Sequence, residues 1–284
     1  MSRVRDDRPR GARSAIYNVL ERAVRKAGRS LVHDFGEVEQ LQVSIKGPGD
    51  FVSAADLQSE RILKAELQRA RPAYGFLFEE GGEEPGEDPN TRWIIDPLDG
   101  TTNFLHGIPH FAISVALQRD GEIVAGAVYE PLRDEIYFAE KGVGAFVNDR
   151  RLRVSARTRL NEAVIGTGIP FRGRGDHPRY LRMLEAVMAN TAGVRRFGSA
   201  ALDLAYVAAG RFDGFFELGL SPWDTAAGLL LVREAGGFIS EVEGGRNPLE
   251  TGSVLATNDR LHGPLGRLLR GADRERKESV TTGP

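Results

Sequence analysis

The stretch Trp93-Ile94-Ile95-Asp96-Pro97-Leu98-Asp99-Gly100-Thr101-Thr102-Asn103-Phe104 is an apolar run that stops abruptly at two carboxylates, a glycine and two hydroxyls. Trp93, Ile94 and Ile95 suit a buried strand, and Pro97, which has no N–H to offer a ladder, cannot continue it. Gly100 and the small residues after it supply flexible backbone and hydrogen-bond donors. A fold for this chain must therefore present a strand end with Asp96 and Asp99 at its mouth. Two hard oxygen donors across a bend suit Mg2+, which binds at about 2.0–2.1 Å and completes its shell with water and substrate phosphate.

With 284 residues, 41% of them hydrophobic and 27% charged, the chain can build one large domain or two lobes around a sizeable core. It contains no cysteine, which excludes disulfides, zinc–thiolate sites and thiol catalysis, so a metal would be held by oxygen or histidine. The formal charge of -2 argues against a protein whose main task is neutralising nucleic-acid phosphates. Met1–Arg10 lacks the apolar core of a signal peptide, and no later stretch is long and apolar enough to span a bilayer, so a cytoplasmic location is expected.

The spacing of Ile16, Leu20, Ala23, Val24, Ala27, Leu31 and Phe35 predicts a long amphipathic helix. A second helix runs through Leu57, Ile62, Leu63 and Leu67, with Ser53 as its cap and Pro72 as its stop. Strands are expected at Tyr74–Phe78, at Phe111–Gln118 and Glu122–Tyr129 flanking the Asp120-Gly121 turn, and at Ile136–Phe138 and Ala145–Val147. Helices at Tyr180–Ala189, Ala200–Ala209 and Thr225–Glu234 then alternate with strands at Val164–Gly166, Gly214–Glu217 and Gly237–Ile239, which favours a layered α/β architecture. With no repeat and no linker, the expectation is one domain over residues 11–270, its lobes at about 11–150 and 151–270, with frayed ends at 1–10 and from about Gly271 to Pro284.

Three acidic clusters stand at junctions between elements: Glu79-Glu80, Asp96 with Asp99, and Asp224 in Trp223-Asp224-Thr225. If they meet, their mutual repulsion favours binding of more than one divalent cation. Local roles account for each one alone. Asp96 and Asp99 suit an Asx turn, Glu79 and Glu80 a solvated acidic loop, and Asp224 the cap of the helix that follows.

Together these segments resemble the inositol monophosphatase family, most closely its bacterial cytoplasmic branch. The carriers are Trp93 to Phe104, Phe197-Gly198-Ser199-Ala200-Ala201-Leu202-Asp203-Leu204-Ala205, Trp223-Asp224-Thr225-Ala226-Ala227-Gly228 with Glu234-Ala235-Gly236-Gly237, and, upstream, Lys46 to Asp56. The resemblance implies an αβαβα sandwich of the sugar phosphatase type, with two lobes sharing one active-site cleft, and Mg2+ as cofactor, two or three ions per subunit. By the same resemblance Glu79, Asp96 and the Leu98 carbonyl match ligands of one metal, and Asp96, Asp99 and Asp224 those of a second. Asp56 and Thr101 match the pair that orients or deprotonates the metal-bound water. Gly100 and Thr101 match the backbone phosphate cradle, where unpaired N–H groups favour an anion. Glu217 and Ala200 match residues of the polyol pocket, although Glu217 could equally be a solvated strand end.

Two positions depart from the family's pattern. Phe78-Glu79-Glu80-Gly81 stands where glycine often precedes the paired glutamates and serine or threonine follows them, which leaves open whether Glu80 joins Glu79 at the metals. Ser53 replaces a frequent threonine and keeps the hydroxyl. His33, His106, His110, His177 and His262 show no metal-ligand spacing and read as structural or surface residues.

The expected chemistry is Mg2+-dependent hydrolysis of inositol monophosphate or a related polyol or sugar phosphate by two-metal activation of water. Superfamily relatives acting on fructose bisphosphate, histidinol phosphate or nucleotide 3'-phosphates are the alternatives within the enzyme class. A regulatory protein that binds the transcription machinery is the alternative outside it, for which Arg172, Arg174, Arg179, Arg182, Arg195 and Arg196 could supply a basic face. The resemblance also implies a homodimer that takes a small phosphate ester and no membrane.

Overall fold

The structure is a computed structural model that describes residues 14–37, 43–47, 50–170 and 175–279. Met1–Arg10, Pro48, Gly49, Arg172, Arg174 and residues 280–284 lie outside them.

Helix α1 (Ala15–Phe35) begins at Ser14, whose hydroxyl accepts the N–H of Tyr17, and buries Leu20, Ala23, Val24, Ala27 and Leu31, the stripe its spacing predicts. A short hairpin, β1 (Val43–Gly47) and β2 (Asp50–Ser53), leads into α2 (Ala54–Ala70). Ser53 caps α2 as expected and forms a reciprocal capping box with Asp56.

Both helices cover one face of an eight-stranded sheet. Its strands are β3 (Tyr74–Phe78), β4 (Gly82–Glu84), β5 (Asp88–Asp99), β6 (Ala112–Arg119), β7 (Glu122–Glu130), β8 (Glu135–Glu140), β9 (Gly144–Val147) and β10 (Arg150–Arg151), in spatial order 10-9-8-7-6-5-3-4. Trp93 and Ile95 point into the core beneath α1 and α2, while Ile94 points into the core on the opposite face, as strand alternation requires.

On that opposite face lie α5 (Ala200–Ala208) and α6 (Pro222–Glu234), followed by a five-stranded sheet of β11 (Val164–Thr167), β12 (Gly193–Arg195), β13 (Gly214–Glu217), β14 (Phe238–Ser240) and β15 (Val254–Thr257). Its spatial order is 12-11-13-15-14. Helices α4 (His177–Asn190) and α8 (Asp259–Ser279) close the far side. The result is the αβαβα sandwich, with two short helices, α3 (Thr101–Leu105) and α7 (Pro248–Thr251), in connections.

One expectation needs correction. The strand does not stop at Pro97. Asp96 stands opposite Ser114 and Asp99 opposite Ala112, so β5 advances three residues while β6 advances two. Pro97 and Leu98 form the resulting bulge, where no ladder N–H is required of the proline, and the pairing resumes at Asp99.

Helix α8 runs to Ser279; within it Leu261, Leu265, Leu269 and Ala272 bury one stripe against the second sheet and α4, and Asp273 pairs with Arg179 at 3.0 Å.

Candidate active site

The cleft collects the carboxyl ends of two parallel strand pairs. β3 pairs with β5 in parallel, and β11 with β13. Glu79 follows β3, Asp96 to Asp99 end β5, Gly168 follows β11, and Glu217 ends β13. The cavity between them measures about 830 Å³, and its lining includes Glu79, Asp99, Gly100, Thr101, Ser199, Ala200, Asp203, Glu217 and Asp224. That size and position are usual for a small-molecule site in an α/β fold.

Four helices direct their N-terminal turns at this place. Asp56 lies in the first turn of α2, Thr101 opens α3, Ala200 opens α5, and Asp224 lies in the first turn of α6. Their first-turn N–H groups and dipoles partly offset the density of carboxylates.

Each aspartate is held by a protein donor. Asp96 Oδ1 accepts the N–H of Leu98 at 2.9 Å, an Asx-type turn across the bulge. Asp99 Oδ2 accepts the Ser199 hydroxyl at 2.6 Å and the Ala201 N–H at 2.7 Å. Asp224 Oδ2 accepts the N–H of Ser221 at 2.7 Å in a second capping box. Asp96 thus takes the turn role read for it, Asp99 accepts from across the cleft and not in a local turn, and Asp224 reaches back to the cap residue Ser221 from the third position of α6; each contact also orients a carboxylate.

Beneath the cleft Asp96 is buried, and burial together with the negative charges of Glu79, Asp99 and Asp224 holds its carboxyl well above the usual range. Burial pushes Asp99 up to about 6 against the pull of its Ser199 and Ala201 donors. Glu217 ends β13 half-buried in the cleft lining, and burial followed by Asp99 raises its carboxyl to about 8. Among the described residues no arginine or lysine forms an ion pair with Asp96 or Asp99.

Thr101 Oγ1 lies 3.1 Å from Asp56 Oδ1 and 3.0 Å from the Leu98 carbonyl oxygen. A hydroxyl has one proton, so it donates to one of these acceptors at a time. Asp56 is fully buried, and burial raises its carboxyl although Ser53 and Thr101 donate to it.

Glu79 lines the cleft and Glu80 does not. Phe78 causes no strain at that turn: it is an ordinary residue of β3, stacked on Phe76 at 5.0 Å, and the positive φ falls at Gly82. The histidines stay out of the carboxylate cluster. His110 packs against Phe197 and Tyr206, and His262 bridges Thr257 and Ser240 at 3.0 Å each.

A profile described as "Inositol monophosphatase family" matches residues 12–274. The chain belongs to the inositol monophosphatase family. It is 62% identical over 259 residues to a Rhizobium meliloti protein named inositol-1-monophosphatase, covering 91% of this chain and 97% of that one. It is 44% identical over 246 residues to a protein of Escherichia coli named Nus factor SuhB, covering 87% and 92% of the two chains. A crystal structure of extragenic suppressor protein suhB from Bartonella henselae superposes with a TM-score of 0.88 at 57% identity, covering 90% of this chain and 99% of that one.

The family implies a divalent metal cofactor, and the donors present fit one chemically: hard carboxylate oxygens, several of them buried, repelling one another. Among the described residues no group of three or more acidic or histidine side chains is drawn together as a finished cage.

The sequence reading missed several participants. Ser59 Oγ donates to the Pro97 carbonyl at 2.8 Å, and Glu60 accepts from the turn after Glu79. Gly168 leaves the space that the Glu217 carboxylate fills, and buried Asp203 lines the cleft with Oδ1 unpartnered. Only Asp203 had a local signal, its place one turn after Ser199 in the matched motif.

Proposed function

We propose that this chain is a Mg2+-dependent phosphomonoesterase of the cytoplasm acting on inositol monophosphate or a related polyol or sugar phosphate. The observation that carries this reading is that buried Asp96 feels the charges of Glu79, Asp99 and Asp224, acids from three remote parts of the chain, beneath a cleft that the other three line. In it Glu79, Asp96 and the Leu98 carbonyl hold one ion, and Asp96, Asp99 and Asp224 a second. When bound, such a pair supplies an activated water and stabilises charge on the leaving oxygen.

The protein's own groups do the rest. Backbone N–H groups at Gly100 and Thr101 receive the phosphate. The Thr101 hydroxyl, placed between Asp56 and the Leu98 carbonyl, passes a proton toward Asp56, whose raised carboxyl suits it as acceptor. Glu217 and Ala200 face the alcohol part of the ester. Glu217 offers an alcohol hydroxyl a hydrogen-bond partner and a second phosphate no positive charge, which supports a polyol monophosphate over a bisphosphate.

The test is phosphate release from inositol 1-phosphate with and without Mg2+. Wild type should require the metal, and Asp96→Asn and Asp224→Asn should lose at least about a hundred-fold in kcat/KM. Undiminished activity in either variant rejects the site assignment. A preference for a bisphosphate in a side-by-side panel rejects the polyol reading and leaves the metal chemistry standing.

A homodimer is part of the same reading. Exposed Ile108 and Phe197 lie beside Arg133, Arg196 and Arg211 around a second cavity, a surface that another copy of the chain would cover. Sedimentation at micromolar concentration tests this.

Association with the transcription machinery remains the second reading, supported by the relative named Nus factor SuhB. The basic face gives it little help. Arg179 is paired with Glu243 and Asp273, and Arg182 donates to the carbonyls of Pro178 and Ala272, so both fasten α4 internally or to its neighbours. A pull-down with polymerase and elongation factors, repeated with Asp96→Asn, separates this reading from catalysis.

A further inference from the structure

Helix α2 buries Leu63 and Leu67 in the core, but the turn before them contacts the site segments instead. Asp56 accepts from Thr101 of α3 at 3.1 Å. Ser59 donates to the Pro97 carbonyl in the β5 bulge at 2.8 Å. Glu60 Oε2 accepts the backbone N–H groups of Glu80 at 3.2 Å and Gly81 at 3.3 Å, in the turn between β3 and β4. Positions 56, 59 and 60 share one helix face. A single rigid element therefore touches the segments that carry Thr101, Asp96 to Asp99, and Glu79.

The β3–β4 hairpin does not need Glu60 in order to pair. Phe76, Leu77 and Phe78 are in register with Glu84, Glu83 and Gly82, and Glu79 N–H donates to the Ile95 carbonyl at 3.1 Å. Glu60 adds acceptors for the two N–H groups at the tip just beyond Glu79. A carboxylate placed near Glu80 and Glu84 is electrostatically unfavourable, and the two backbone donors it accepts offset that cost. Gly81 is matched to it: a Cβ there would sit 2.9 Å from Glu60 Oε1.

We infer that Glu60 is a positioning residue for the metal site, holding the β3–β4 turn so that Glu79 faces Asp96, with α2 as the common rail for the site's segments. The inference rests on the reading of Glu79 as a metal ligand. Glu60 touches no metal in this account and acts through the backbone of Glu80 and Gly81.

The test is calorimetric titration of the metal-free full chain with Mg2+, alongside the Mg2+ dependence of phosphate release and the melting temperature. Glu60→Leu removes the acceptor and should weaken Mg2+ binding about ten-fold or more, a usual effect of losing an outer hydrogen bond at a metal site. Its kcat should recover at saturating Mg2+, and its metal-free melting temperature should stay close to wild type. Glu60→Gln keeps an acceptor oxygen and should bind Mg2+ within a few-fold of wild type. Gly81→Ala disturbs the same contact from the other side and should weaken binding in the same direction, which serves if Glu60→Leu fails to fold.

Mg2+ binding unchanged in Gly81→Ala and in folded Glu60→Leu overturns the inference, as does Glu60→Gln behaving like Glu60→Leu. Glu79→Gln distinguishes the two levels. If it weakens Mg2+ binding while the Glu60 and Gly81 variants do not, only the role of Glu60 falls. If it leaves binding intact, the assignment of Glu79 as a ligand fails and takes this inference with it.

Discussion

Ser199 Oγ donates to Asp99 Oδ2 at 2.6 Å and accepts the N–H of Leu202 at 3.3 Å, so one hydroxyl both caps α5 and turns the carboxylate at the end of β5. The contact joins the two sheets' halves of the cleft. It explains why a cap residue and an acid lie a hundred positions apart in one matched pattern.

Ser199→Ala removes both roles at once. We expect a loss of about 1–2 kcal/mol in urea unfolding, the usual worth of a helix cap with one charged hydrogen bond. Phosphate release should fall about ten-fold or more, because Asp99 keeps only its backbone donors. Ser199→Thr restores the hydroxyl and should recover most of both. An alanine variant with full activity would show that Asp99 does not need this anchor.

Gly168 offers a test of the substrate end of the cleft. A Cβ at this position would land on the Glu217 carboxylate, so Gly168→Ala must turn that side chain away from its present place. If Glu217 holds a hydroxyl of the polyol, KM should rise about ten-fold with kcat nearly unchanged, the cost of roughly one hydrogen bond. A fall in kcat at constant KM would instead place Glu217 in the chemical step.

Stability far from the cleft can be separated from activity at Glu66. This carboxylate is only 5% exposed and takes Lys26 at 2.7 Å, Arg22 at 3.2 Å and also Arg69, tying α1 to α2. The Lys26 hydrogen bond, ahead of the nearby arginine charges, lowers its pKa. Its contribution is therefore present above the ordinary value of 4.5 and is lost as pH falls through the lower folded value. Glu66→Gln should cost about 1 kcal/mol at pH 7, since its cationic partners are half-exposed or more. The deficit should shrink in urea melts below about pH 4, and phosphate release should be unchanged.

What could be read in advance follows from the range of the forces involved. Helix stripes such as Leu20 to Leu31 and strand alternation through Trp93, Ile94 and Ile95 are local patterns, and they reappear at the expected residues. Pro97 was legible as a ladder breaker, but its bulge was not, because only the facing Ser114 and Ala112 reveal the extra residue. The charged tail after Gly271 reads as solvated, while the leucines before it carry the helix onward. Asp96, Asp99 and Asp224 stood out by motif, whereas Ser59 and Glu60 look like ordinary polar helix residues until the turn and bulge they hold are brought against them.

His110 carries the pH prediction. Its Nε2 is buried without a partner, its ring lies 5.2 Å from Phe197 and 5.9 Å from Tyr206, and burial followed by the charge of Arg133 pushes its pKa from 6.5 down to about 4. Between those values the unfolded chain binds a proton that the folded chain refuses. Stability from this residue is therefore intact above about pH 6.5 and declines as pH falls toward 4. His110→Gln, which has no proton to take up, should show a smaller drop in urea midpoint between pH 7.5 and pH 4.5 than wild type, whatever its stability at neutral pH. An equal drop in the two proteins would mean that the imidazole becomes charged in the folded state as readily as in the unfolded one.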